Sequence, residues 1–192
     1  MKLLFSTVLT ILSLIIQPAL AWQDYNISFM SQKSSKSLNV PLKPIADNVY
    51  YFSRINDSCI AKPGPLNFKL DQSSKLDIPV QDINSSTTCV GRQKKIIWAV
   101  STKNDPASLD LNACLLQWSV TLYWTIPVAP QWHTAVTSTC KDFIINATCP
   151  DQNCYNYCPD LNNCSMGNTQ HVGGFETDRI NIVFEEKENT KL

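Results

Sequence analysis

Glycine and histidine are both scarce in this chain, which has 5 Gly and 2 His among 192 residues. No glycine flanks a serine in the G-x-S-x-G pattern of serine hydrolases, and neither a phosphate-binding loop nor a dinucleotide fingerprint occurs. The H-E-x-x-H motif of zinc proteases is also missing. These absences exclude the motif-bearing hydrolases, metalloproteases and nucleotide-binding proteins. A hydrolase with paired carboxylates stays open, because the distance between two carboxylates cannot be read from a sequence.

Metal-binding patterns are missing as well. The cysteines do not form the paired C-x2-C spacing of zinc sites. One segment holds several oxygen donors that could bind calcium, namely Asp151, Asn153, Asp160, Asn162 and Asn163. Their spacing is not that of an EF-hand, and Asn and Asp are the usual residues of turns. We therefore predict that no metal is bound.

The two histidines are the remaining candidates for catalysis. His171 lies close to Glu176 and Asp178, which could form an acid–base or metal group, whereas His133 lies in a Thr/Ser-rich strand. We interpret the first as part of a solvated loop and the second as a sheet-face residue. The sequence favours a protein that is not an enzyme and uses no cofactor, with a small secreted hydrolase as an open alternative.

Neither sign of charge predominates, since 16 Lys and Arg stand against 16 Asp and Glu. Such a chain has no field that attracts nucleic acid or anionic membranes. Arg92, Lys94 and Lys95 form a small basic cluster that we interpret as the solvated entrance of a strand. We therefore predict no nucleic-acid partner.

Long apolar runs are absent after the first residues. Residues 1–21 carry one Lys, an apolar run and a final Ala-Leu-Ala, which is the layout of a secretory signal peptide. The alternative is a membrane anchor, but the run from Leu3 to Ile16 is short for a bilayer span and contains Ser and Thr. We predict cleavage after Ala21, a single β-rich domain at residues 22–192 with no transmembrane segment, and a secreted location (extracellular, or periplasmic in a bacterium).

Cysteine, by contrast, is plentiful. An even number behind a signal peptide predicts up to four disulfides formed in an oxidising compartment. The eight residues are Cys59, Cys89, Cys114, Cys140, Cys149, Cys154, Cys158 and Cys164. The last four fall within residues 149–164, a disulfide-rich loop module without periodicity, and are expected to pair mainly among themselves. The first four are expected to staple the sheets.

Asn-x-Ser/Thr sequons predict that the protein is a glycoprotein if it is made by a eukaryote or its virus. The candidate sites are Asn26, Asn56, Asn84 and Asn146. A fifth sequon begins at Asn163, but Cys164 stands in its middle and a disulfide there would hinder modification.

The strongest structural signal is the segment at residues 113–128, ACLLQWSVTLYWTIPV. Its even positions are all apolar and its odd positions are mostly polar, a period of two that predicts a strand with one buried and one solvated face. Its length exceeds that of an ordinary strand, which predicts a bulge or a bend.

Other short segments with the same period are residues 25–29, 49–55, 95–101 and 180–184, whereas residues 104–112 suggest a turn or two of helix. No segment has a sustained apolar stripe of period 3.6. We predict an all-β fold, an antiparallel, Greek-key-like β-sandwich, with a barrel as the alternative. The Tyr-x-Cys signature of immunoglobulin domains is missing, since Ser138 and Thr139 precede Cys140.

Aromatic residues are the best indication of function. Trp118 and Trp124 belong to the predicted core, whereas four others lie outside it or near loops and are candidate ligand-binding residues, namely Tyr123, Trp132, Tyr155 and Tyr157. The first hypothesis is a secreted binding protein for an extracellular or host protein ligand, and the second is a lectin-like protein. A pore-forming hairpin over residues 114–128 is a further alternative, but residues 132–139 are too polar to be its second strand.

Overall fold

The computed structural model describes ten segments of the chain, residues 23–32, 49–83, 88–89, 91–102, 114–123, 131–140, 143–149, 152–164, 171–173 and 179–186. The predicted signal peptide and the helix expected at residues 104–112 lie outside these segments. Within them the chain forms thirteen strands and a 3-10 helix at Leu161–Asn163. No helix in these segments is long and apolar enough to cross a membrane.

The strands form two packed sheets, which confirms the predicted sandwich. The first sheet has the order β10-β9-β13-β1-β5-β3, and the second has the order β11-β8-β7-β6-β2-β4, with β12 also paired to β8. The first sheet is made of β1 (Asp24–Gln32), β3 (Ile60–Lys62), β5 (Lys75–Asp82), β9 (Phe143–Cys149), β10 (Gln152–Asn153) and β13 (Arg179–Glu186). The second is made of β2 (Tyr50–Ser58), β4 (Asn67–Leu70), β6 (Lys94–Ser101), β7 (Cys114–Tyr123), β8 (Gln131–Ser138), β11 (Tyr155–Tyr157) and β12 (His171–Gly173).

The sheets are mixed rather than purely antiparallel. β1 pairs with β13 in parallel, and β8 pairs with β11 in parallel, whereas the other pairs are antiparallel. Parallel neighbours need a long connection between them. The chain supplies it because it passes repeatedly from one sheet to the other, and most of the domain lies between β1 and β13.

The core lies between the two sheets. It confirms the prediction that the even-numbered side chains of β7 are buried. Leu116, Trp118 and Val120 are fully buried there. At the centre of the core, the Phe29 ring packs edge-on against the rings of Phe52 and Trp98, with centroids 5.2 Å and 5.4 Å away. Edge-to-face pairs of this kind stabilise a core beyond the area that they bury.

The opposite face of β7 differs from its prediction. Gln117, Ser119 and Thr121 are expected in solvent, but their exposed fractions are 9%, 1% and 8%. Gln117 lines a groove together with Leu161 and Asn162 of the 3-10 helix. The predicted bulge is also not in β7, whose pairing is continuous through the ten residues described. In the described strands the register shifts instead in β2, between Arg54 and Asn56, and in β3, between Ile60 and Lys62.

All eight cysteines form disulfides, and the last four pair among themselves as predicted. Cys59–Cys89 joins two connections between the sheets, the one from β2 to β3 and the one from β5 to β6. Cys114–Cys140 is different, since it joins β7 to the end of β8, its neighbour in the same sheet. The expectation that the first four cysteines staple the sheets therefore applies to the first of these bridges alone.

The Cys-rich module is more ordered than a loop. Cys154 follows β10 of the first sheet and precedes β11 of the second. Its N–H donates to the carbonyl oxygen of Ala147 in β9 at 3.0 Å, and its own carbonyl accepts from Val136 N–H in β8 at 2.9 Å. One residue thus bridges the edges of both sheets. Its flanking strands have two and three residues, which is too short for a period in the sequence to reveal.

The position of Lys94 corrects a further prediction. The sequence suggests a solvated strand entrance, but Lys94 is 0% exposed and shares the inner face of β6 with Ile96 and Trp98. Asp82, also 0% exposed, lies at the end of β5 and interacts with it electrostatically. A buried lysine is tolerated when a carboxylate accompanies it.

Candidate functional site

The candidate site is a groove of about 270 Å³ on the outer face of the second sheet. Ile97, Gln117 and Thr137 form its centre, since they are direct cross-strand neighbours on β6, β7 and β8. The 3-10 helix lies on one side. The lining within the described residues is Gln93, Lys95, Ile97, Gln117, Thr137, Leu161, Asn162 and Cys164. We call this the outer groove.

The loop at the side of the outer groove is held at both ends. Its first residue, Cys158, donates its N–H to the carbonyl oxygen of Ser138 in β8 at 2.9 Å, and the Cys158–Cys164 disulfide closes the loop. Inside it, the Asp160 carboxylate accepts from Asn162 N–H at 2.9 Å and caps the short helix. The loop therefore presents Leu161 and Asn162 to the groove from a constrained backbone.

Thr137 is the most deeply buried polar residue in the described lining of the outer groove. It is 1% exposed, and its Oγ1 has no hydrogen-bond partner among the residues that the structure describes. The hydroxyls of Thr121 and Thr134 and the indole nitrogens of Trp98 and Trp118 are in the same state, so this state does not distinguish the groove. An unsatisfied buried hydroxyl costs about 1–3 kcal/mol. Because the Thr137 hydroxyl has almost no accessible surface, a ligand in the groove does not reach it.

The outer groove is lined mainly by polar side chains. Gln93, Gln117 and Asn162 supply amide donors and acceptors, and Lys95 supplies a positive charge. Among the described lining residues there is neither a carboxylate nor an imidazole. Amides and an ammonium group of this kind can bind hydroxyl groups and an anion.

The four aromatic candidates are divided between two places. Tyr157 is 39% exposed on β11, and Tyr155 beside it is half-buried, with its hydroxyl 3.1 Å from Ser138 Oγ. Burial raises the pKa of Tyr155. Both lie on the strand next to β8 and lead directly into the loop that borders the outer groove.

Tyr123 and Trp132 are at the other end of the β7–β8 pair, where the structure describes their backbone alone. Trp132 is four residues from Val136, the partner of Tyr155, which is about 13 Å along a strand. The role of the four aromatic residues in binding stays a prediction.

The outer groove residues themselves were missed in the sequence. A signal was present, because Gln117 occupies an odd position of the β7 segment and Thr137 lies in the next alternating segment. What the sequence could not reveal is that the 3-10 helix borders these positions, because this contact joins residues far apart in the chain.

The remaining candidates are the four sequon asparagines and the metal-binding side chains. Asn56 and Asn146 are exposed on β2 and β9, Asn26 is half-buried on β1, and Asn84 lies outside the described residues. No group of three metal-binding side chains occurs in the described part of the chain. Glu176 and Asp178 lie outside it, so the group suggested with His171 stays a prediction.

A second polar cluster, around Asp82, is inside the sandwich. The Asp82 carboxylate accepts from Gln23 N–H at 2.8 Å and from the Tyr25 hydroxyl at 3.3 Å. Burial lowers the pKa of Lys94, and the negative charge of Asp82 opposes this shift. Because Asp82 and Lys94 have no exposed surface and belong to different sheets, we assign this cluster a structural role.

The chain was also compared with known proteins. No protein-family model matches it, and no curated protein or solved structure is significantly similar to it.

Proposed function

We propose that this protein is a secreted, lectin-like binding protein that takes one sugar residue of a glycan into the outer groove. The observation that carries the proposal is a groove lined by the amides of Gln93, Gln117 and Asn162. Sugars offer many hydroxyl groups, each both a donor and an acceptor, which suit the Gln and Asn side chains there. The four disulfides support an extracellular setting, because such bonds persist in oxidising environments.

A protein ligand, the first hypothesis from the sequence, is the alternative. A stable protein interface buries about 800 Å² on each partner and centres on aromatic or other large anchors. In the described residues the large apolar side chains exposed by more than a third are Ile55, Leu66 and Tyr157. Ile55 and Leu66 lie near the β2–β4 edge and Tyr157 at the β11 edge, so they do not form one patch.

A glycan array with the oxidised protein tests the proposal. We expect binding to a defined subset of glycans, weakened in the Asn162→Ala variant, which removes an exposed amide from the outer groove. Asn67→Ala is the matched control, because Asn67 is an equally exposed amide on β4. Failure to bind any glycan, with direct capture of a purified protein partner instead, would support the protein ligand. Equal losses in both variants would remove the outer groove as the site.

A further inference from the structure

We propose that the outer groove selects a sugar residue that carries a negative charge, with Lys95 as the group that recognises the charge. This inference rests on the proposed function and adds the class of ligand to it. Lys95 is the one charged residue among the described residues that line the groove. It is half-buried on β6, so water does not fully screen it.

The neighbours of Lys95 leave its charge uncompensated. Its cross-strand partners are Ser58 on β2 and Ser119 on β7, and both are neutral. Asp57, the carboxylate next to Ser58, lies 3.4 Å from Arg54. Within the described segments Lys95 has no ion pair, whereas Lys69 and Lys75 each pair with an aspartate. A groove that holds a lysine and no acid attracts an anion.

The rest of the site is the amide-bearing part of the lining. Gln117 lies directly across the sheet from Ile97, and the exposed Asn162 lines the same groove. Lys95 is two residues from Ile97 on the same outer face of β6. An acidic sugar could therefore place its anionic group at Lys95 and a ring hydroxyl at the amide of Asn162.

The size of the groove suits one sugar ring. Pockets for drug-sized ligands are usually about 300–1,000 Å³, and the outer groove, at about 270 Å³, is slightly smaller. A single sugar residue at the end of a chain fits this space.

Titrations followed by NMR, with glucuronate, glucose 6-sulfate and glucose as probes, test the inference on the oxidised protein. We expect glucuronate or the sulfate to bind at least about tenfold more tightly than glucose, and this preference to weaken as salt is added. The tighter binder of the two anionic probes shows whether the groove prefers a carboxylate or a sulfate. Equal binding of glucose and both anions would overturn the inference.

The variant Lys95→Met should lose the preference, so that it binds glucuronate and the sulfate no more tightly than glucose. Lys62→Met is the matched control, because Lys62 is exposed on β3 of the opposite sheet. Unfolding in denaturant would verify that both variants fold. A preference unchanged in Lys95→Met would also overturn the inference, although glycan binding on the array would leave the proposed function standing. An absence of glycan binding on the array would overturn both.

Discussion

Lys94 and Lys95 are adjacent in the chain and lie in opposite environments. Lys94 points between the sheets, has no exposed surface and interacts with Asp82, whereas Lys95 lies on the outer face with neutral neighbours. A strand places successive side chains on opposite faces, so one step along β6 separates a core position from a groove position. The comparison shows that the same residue type serves the stability of the sandwich on one face and, in our proposal, recognition on the other.

The largest effect is expected from Lys94→Met. Removal of the lysine leaves the Asp82 carboxylate buried without its counter-charge, which we expect to lower the free energy of unfolding by about 3–5 kcal/mol. Lys95→Met should change it by less than about 0.5 kcal/mol. Urea unfolding of the oxidised variants measures the difference. Similar losses in the two variants would contradict the assignment of Lys94 to the core.

The next largest effect distinguishes two disulfides. Cys59–Cys89 joins two connections between the sheets, whereas Cys158–Cys164 closes the loop beside the outer groove. Replacing Cys59 and Cys89 by Ala opens a link between residues 30 apart, and the expected loss is about 3 kcal/mol. The Cys158–Cys164 link spans 6 residues, so its removal should cost less stability but should weaken glycan binding. Thermal unfolding and the glycan array together measure both effects. If the variant without the Cys158–Cys164 disulfide binds glycans as well as the original protein does, the loop is not part of the site.

A smaller effect of opposite sign is expected from Thr137→Val. Valine has a similar shape and removes the unsatisfied hydroxyl, so the free energy of unfolding should rise by about 1 kcal/mol. Thr139→Val is the control, since its hydroxyl accepts from Leu115 N–H at 2.9 Å and its loss should destabilise. A destabilised Thr137→Val would mean that the hydroxyl is already satisfied within the fold.

The smallest effects concern the dependence of stability on pH. The pKa of Lys94 is lowered, so between its folded pKa and its ordinary value of 10.5 the unfolded chain binds more protons and stability rises with pH. The pKa of Tyr155 is raised above 10.0, so above that pH the unfolded chain loses the proton first and stability falls. Urea unfolding across the alkaline range measures the free energy of unfolding at each pH. Its rise with pH should be lost in Lys94→Met, and its fall with pH should be lost in Tyr155→Phe. If the dependence of the free energy of unfolding on pH is the same in these variants, the pKa shifts of Lys94 and Tyr155 are contradicted.

Much of the fold could be predicted from local patterns. The alternation around Trp118 places Leu116, Trp118 and Val120 in the core, because a period of two belongs to a strand with a buried face. The same alternation would have placed Lys94 inside, in line with Ile96 and Trp98. Its charge suggested solvent instead, since a lysine is buried only when its partner is near, and Asp82 is twelve residues away in the sequence.

The sequence by itself determined the class of fold, the pairing of the last four cysteines among themselves and the residues of the β7 core face. These depend on periodicity and on cysteines close together in the chain. Only the tertiary structure decided that β1 and β13 run in parallel, that Cys154 bridges both sheets and that the loop after Cys158 borders Gln117 and Thr137. Such contacts join residues far apart in the chain, and no local pattern encodes which distant segment covers a polar face.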